Sequence, residues 1–270
     1  MTLASLRSRK LLALLALGWV GLLAGCGTQP VGGDAPAEWH TASDDTDARK
    51  RARTRLALAT GYYENGQYTI ALDEQKKALQ ADPSFADAYN LGGLVYMALG
   101  DMALAGSHFQ RAIALNPRDA DALHNLGWLQ CQQGQYPQAV QQFQRAVAVP
   151  TYPGRAKTLM AQGICEARGG DASQAEATLM RSYELDAGNP VTGYTLAQLL
   201  FRRGDNARAQ FYIRRLNNSE LANAESLWLG IRVERRLNDR RAMEQLGVQL
   251  RRRFPQSREL LAYEQGNFDE

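Results

Sequence analysis

Histidine is scarce in this chain: His40, His108 and His124 are the three it has in 270 residues. None has a neighbouring cysteine or a pair of carboxylates at metal-ligand spacing, so the familiar zinc signatures are excluded. There is no phosphate-cradling G-x-x-x-x-G-K-[ST] loop and no G-x-S-x-G nucleophile elbow. Long apolar runs are missing too. The longest, residues 11–23, is well short of the roughly 20 residues that span a bilayer as a helix. These absences leave no footing for catalysis, and the chain reads as a binding module with no cofactor, no metal and no small-molecule substrate.

What is present begins with the N-terminus. Arg7, Arg9 and Lys10 precede the apolar run, and Ala24, Gly25 and Cys26 follow it. A basic start, a short apolar core and small residues form the layout of a secretory signal peptide, residues 1–25. The stretch "LAGC" resembles the bacterial lipobox, which implies that the Cys26 thiol is acylated and becomes the mature N-terminus. Acyl chains hold a protein on a membrane surface without spanning it. Gly27 stands where an Asp would resemble an inner-membrane retention signal, so the expected location is the outer membrane, on its periplasmic face. A plain secretory peptide that happens to hold a cysteine is the alternative.

The 31 basic residues outnumber the 28 acidic ones by three, and Arg7, Arg9 and Lys10 account for that difference. The mature chain is therefore balanced, and its charge gives no reason to expect a nucleic-acid partner. Residues 26–47, rich in Gly, Pro, Asp and Thr without apolar periodicity, read as the lipidated end and a flexible tether.

From residue 48 the sequence repeats. Ala71, Ala105 and Ala139 stand 34 apart, as do Ala78, Ala112 and Ala146, and the turn glycines Gly66, Gly100 and Gly134. That is the period of the tetratricopeptide helix-turn-helix unit. Weaker copies follow around Ala175, Ala209 and Ala242, with two extra residues near "PTYPGRAK" where Pro150 and Pro153 interrupt helix. The expected fold is all-α: six tetratricopeptide repeats over residues 48–258 stacked as a right-handed superhelix, with residues 259–270 a tail. Small residues such as Gly93, Gly127, Ala105 and Ala139 are expected where paired helices cross closely, and Tyr62, Tyr96, Phe109 and Phe143 fill the remaining space.

In such a superhelix the first helix of each unit lines the concave face. Numbering each unit so that its small alanine is position 20 puts Tyr63, Leu94, Met97, Trp128, Met160, Ile164, Tyr194, Phe201 and Leu227 on or near that face. Lined this way, a groove suits an amphipathic helix or extended peptide. Packing between neighbouring helices is the competing role for each residue, Leu94 and Ile164 above all.

Cys131 and Cys165 fall in the first helices of adjacent units. An oxidising compartment favours a disulfide between them, two buried thiols being the alternative. Between Phe201 and Arg258 there are 14 arginines against six acids. A solvated face accounts for most of that excess, and contact with acidic headgroups or an acidic partner is the other reading.

Together, the lipobox, the six units and the stretches "DALHNLGWLQCQQGQYPQAVQQFQRAVAVPTYPGRAK", "GICEARGGD" and "ESLWLGIRVERRLNDR" resemble the type IV pilus biogenesis and stability lipoproteins, the pilotins of the pilus secretin. The resemblance implies an outer-membrane lipoprotein that binds secretin subunits and helps them reach that membrane and multimerise. A tetratricopeptide lipoprotein that scaffolds cell-wall enzymes is the second reading, since it also needs only a lipid anchor and a groove.

Overall fold

The computed structural model describes residues 44–268; Cys26 and most of the expected tether lie outside them. Among the described residues there are thirteen helices and no strand. Six pairs run in chain order: α1 (Asp47–Glu64) with α2 (Tyr68–Ala81), α3 (Ala86–Ala98) with α4 (Met102–Leu115), and α5 (Ala120–Gln132) with α6 (Tyr136–Val147). The later pairs are α7 (Arg155–Arg168) with α8 (Ala172–Leu185), α9 (Pro190–Arg202) with α10 (Asn206–Asn217), and α11 (Ala224–Arg236) with α12 (Arg240–Arg253). The last helix, α13 (Arg258–Gln265), follows them.

Local signals start and stop these helices. Asp101, Asp171, Asp205 and Asp239 cap the second helix of their pairs, each carboxylate accepting a backbone N–H two or three residues into the helix. The residue before each of these caps takes the left-handed conformation that ends the preceding helix: Gly204 at φ 81° and, one repeat later, Asn238 at φ 59°. Asn is the non-glycine residue best suited to that conformation, so the turn survives the substitution.

Size complementarity sets the pair crossings. A Cβ added at Gly93 would overlap the Phe109 ring, and one at Gly127 would come 3.0 Å from Phe143 and 3.1 Å from the Ala139 carbonyl oxygen. Phe109, Phe143, Ala105 and Ala139 are fully buried. The sixth pair inverts the arrangement. Gly247 stands where Phe143 and Phe109 stand earlier, and the Tyr263 ring of α13 occupies the space a side chain there would need.

Two expectations are corrected here. Counted from the helix caps, the crossing position held by Ala71, Ala105, Ala139, Ala175 and Ala209 is taken in the sixth pair by Met243, one residue beyond Ala242. Residues 259–270 are also not simply a tail. Ser257 caps α13 through the Leu260 N–H, Gly266 ends it at φ 73°, and Leu260 enters the core with Leu227, Ile231 and Leu250.

The backbone of each first helix runs close to that of the first helix of the next pair, from α1 with α3 through α11 with α13, whereas the backbones of successive second helices stand farther apart. The closer row lies on the inside of the curve, so the concave surface is built from α1, α3, α5, α7, α9, α11 and α13.

Candidate functional site: the concave grooves

Four first helices converge on one groove. Tyr63 of α1, Leu94 and Met97 of α3, Trp128 of α5, and Met160 and Ile164 of α7 line a cavity of about 520 Å³, joined by Met102 from the start of α4. All six of the expected side chains are half-buried: their inner atoms pack between helices while one surface stays open. Packing and lining are thus the same residues' two faces. Polar groups are few. Asn125 donates to Asn90 across the helix row at 3.0 Å, and Lys157 supplies the cation at one side.

Beneath the groove, polar and covalent ties join α5 to α7. His124 Nδ1 lies 2.9 Å from Thr158 Oγ1, and Thr158 in turn donates to Tyr152, whose hydroxyl reaches Asp121 at 3.2 Å. Burial holds His124 neutral, pushing its pKa down to about 4 with help from the nearby Lys157 charge; burial also pushes Tyr152 up to about 12. Tyr152 and Gly154 lie in the longer turn between α6 and α7, and the Tyr152 ring occupies the space a Gly154 Cβ would need. Cys131 and Cys165 are bonded, with Cα atoms 5.7 Å apart. Both are buried with Ala139, Phe143 and Ala161, and Trp128 packs on this cluster. The Arg168 guanidinium lies over the Trp128 ring, 5.6 Å from its centroid.

Tyr194 and Phe201 lie apart from this groove, in a second one built from α9, α11 and α13. Leu227 lies in neither. It is fully buried against Ile231, Leu250 and Leu260, and its neighbour Trp228 takes the concave position. The cause is the one-residue register of the sixth pair: a helix turns about 100° per residue, enough to exchange a core position for a groove position. Asn238 and Asp239, at the places of Gly204 and Asp205, carried that register in the sequence. His124, Lys157 and Met102 were not expected at the first groove.

Many of the arginines near the end of the chain tie helices together. Arg214 grips the buried Glu234 carboxylate at 2.7 and 2.9 Å and reaches Asp239 at 3.1 Å. Arg203 and Arg208 both pair with Glu176, Arg251 with Glu264, and Arg253 donates to the Ala222 carbonyl at 2.9 Å. Among the described residues no cluster of three or more His, Cys, Asp or Glu is placed to hold a metal ion.

Comparison with known proteins places this geometry. Tetratricopeptide-repeat models match residues 61–100, 84–151 and 124–190. The type IV pilus assembly protein PilF of Pseudomonas aeruginosa is 29% identical over 204 residues, covering 76% of this chain and 81% of that protein. The chain folds as a tetratricopeptide-repeat solenoid and is similar to PilF. Solved structures agree: that of P. aeruginosa PilF superposes with a TM-score of 0.74 at 27% identity, covering 82% of this chain and all of that one. PilW, described as a widely conserved type IV pilus biogenesis factor, gives 0.72 at 28%, covering 78% of this chain and 97% of that one. The tetratricopeptide protein YrrB, at 14% identity and a TM-score of 0.57 over 71% of this chain and 97% of that one, shares the fold. Solenoids of this kind present an extended concave surface to protein partners.

Proposed function

We propose that this protein is a lipid-anchored pilotin at the periplasmic face of the outer membrane, a non-catalytic module that binds type IV pilus secretin subunits and assists their localisation and multimerisation. One observation carries the reading: Tyr63, Leu94, Met97, Trp128, Met160 and Ile164, from four separate helices, form one apolar groove in a chain related over most of its length to a type IV pilus assembly protein. An apolar face of a secretin segment, helical or extended, fits that lining. Among the described residues no helix is long and apolar enough to cross a membrane, and in this reading attachment rests on acylation of Cys26.

The test joins both halves. Cys26→Ser is expected to leave the repeats folded and to release the chain from the outer-membrane fraction. Trp128→Ala with Met160→Ala is expected to keep the fold and the membrane fraction while secretin multimers fall on a gel of outer membranes. Normal multimers in that double variant would reject this groove as the secretin site. Co-purification of peptidoglycan enzymes in place of secretin subunits would favour a cell-wall scaffold instead.

A further inference from the structure

The α7 wall of the first groove carries a pattern of its own. Lys157, Met160, Ile164 and Arg168 follow one another at spacings of 3, 4 and 4 residues, which puts all four on one stripe of the helix. Met160 and Ile164 are half-buried and line the cavity, while Lys157 and Arg168, both exposed, stand at the two ends of the stripe. The cations are 11 residues apart in sequence, about 16 Å along the axis.

Both cations are available to a partner. Neither Lys157 nor Arg168 forms a hydrogen bond or an ion pair among the described residues; Lys157 is the one charged residue lining the cavity, and Arg168 rests on the Trp128 ring through its guanidinium face. The acids at the Lys157 end stand on the neighbouring helices, Asp87 in the first turn of α3 and Asp121 in the first turn of α5. Asp121 accepts from the Tyr152 hydroxyl, and neither acid pairs with Lys157. Charge therefore changes sign across the groove, positive on α7 and negative on α3 and α5.

A helix laid along α7, with a carboxylate, two apolar side chains and a second carboxylate at the same spacings, meets all four residues in register. An extended chain covers the same distance in about five residues and turns alternate side chains away, so it cannot match the stripe. We propose that the first groove takes an amphipathic helix whose acid–apolar–apolar–acid stripe lies against Lys157, Met160, Ile164 and Arg168, and that the two cations set its register along α7 and the edge it turns to that helix. Resting on the function proposed above, that helix is the secretin's.

Two helical peptides of otherwise identical sequence serve as probes, one carrying the stripe Glu-x-x-Leu-x-x-x-Leu-x-x-x-Glu and the other Lys at both outer positions. Each is titrated into the ¹⁵N-labelled chain and followed at the Trp128 and Trp228 indole N–H resonances. The glutamate peptide should shift Trp128 at a concentration about tenfold lower than the lysine peptide. Lys157→Glu with Arg168→Glu should invert that preference, and the gain of the lysine peptide would itself show that the groove remains folded. Equal binding of the two peptides, a preference unmoved by the double reversal, no shift at Trp128 with either peptide, or a shift at Trp228 in its place would each overturn the proposal. Secretin multimers separate this inference from the function on which it rests. Loss of multimers in Trp128→Ala with Met160→Ala, but not in the double reversal, would reject the charged stripe and keep the groove. Normal multimers in both, with the peptide preference intact, would reject the secretin as occupant and keep the recognition chemistry.

Discussion

His124 of α5 shares a 2.9 Å hydrogen bond with Thr158 of α7, a tie between two repeats directly beneath the Trp128 groove. The bond is made by a buried imidazole kept neutral, and it gives the repeat stack a defined response to acid. In the folded chain the His124 pKa is about 4, against 6.5 for the unperturbed side chain. The unfolded chain therefore binds a proton more readily, and the stabilisation is whole above pH 6.5, falls as the pH drops towards 4, and is fully lost below that. The shift corresponds to about 3 kcal/mol. Urea unfolding of wild type and His124→Gln at pH 7.5 and pH 4.5 should show a steeper loss in wild type. Parallel losses would remove His124 as the cause.

The disulfide joins the same two helices. Closing a 34-residue separation stabilises by about 4 kcal/mol in the chain-entropy model, so reduction, or Cys131→Ala with Cys165→Ala, should lower the melting temperature by several degrees. Trp128 packs on this cluster, and its fluorescence should change with the bond. Thiol labelling under denaturing, non-reducing conditions should find neither cysteine free; labelling of both would refute the bridge.

Leu227 and Trp228 are adjacent in sequence and opposite in role. Leu227→Ala opens a cavity in the core of the sixth pair and should cost about 2–5 kcal/mol of stability. Trp228→Ala should cost less, since its ring is half-buried, but should free Phe268, which stacks on it with centroids 5.5 Å apart. Chemical denaturation of the two variants distinguishes them, and equal losses would contradict the register described here.

Ala139→Leu should overpack the crossing at Gly127 and cost about 1–3 kcal/mol, with lower helicity on melting than Trp128→Ala. A wild-type melting curve for Ala139→Leu would show that the crossing relaxes more readily than its contacts indicate.

Arg214→Ala strands the Glu234 carboxylate, whose side chain is 1% exposed. Gln210 still donates to it at 2.7 Å, so the expected loss is about 2–3 kcal/mol, and Glu234→Gln in the same background should recover part of it. Failure of that rescue would place the cost in lost arginine packing rather than in the buried charge.

The repeat itself was legible in the sequence because its determinants are local. A left-handed turn residue, a capping aspartate and a small residue four positions into the second helix are each needed by a few neighbouring backbone groups, so they recur at a fixed period and can be read without a structure. The same logic made Cys131 and Cys165 neighbours, since adjacent first helices repeat one geometry. Even the correction in the sixth pair was written locally, in Asn238 and Asp239, and the α13 boundaries in Ser257 and Gly266. What only the tertiary structure decided is which flank of each helix stays open. Leu94 and Ile164 pack and line at once, Leu227 is core while Trp228 is groove, and the arginines of the last pairs turn inward to Glu176, Glu234 and the Ala222 carbonyl. Phe268 on Trp228 is the clearest instance: two aromatic residues 40 positions apart, brought together by the packing of α11, α12 and α13, with no local pattern to announce it. Facing depends on the crossing of one pair against the next and on the side chains that fill the seam, a sum of contacts distant in sequence, and a period of 34 carries no record of that sum.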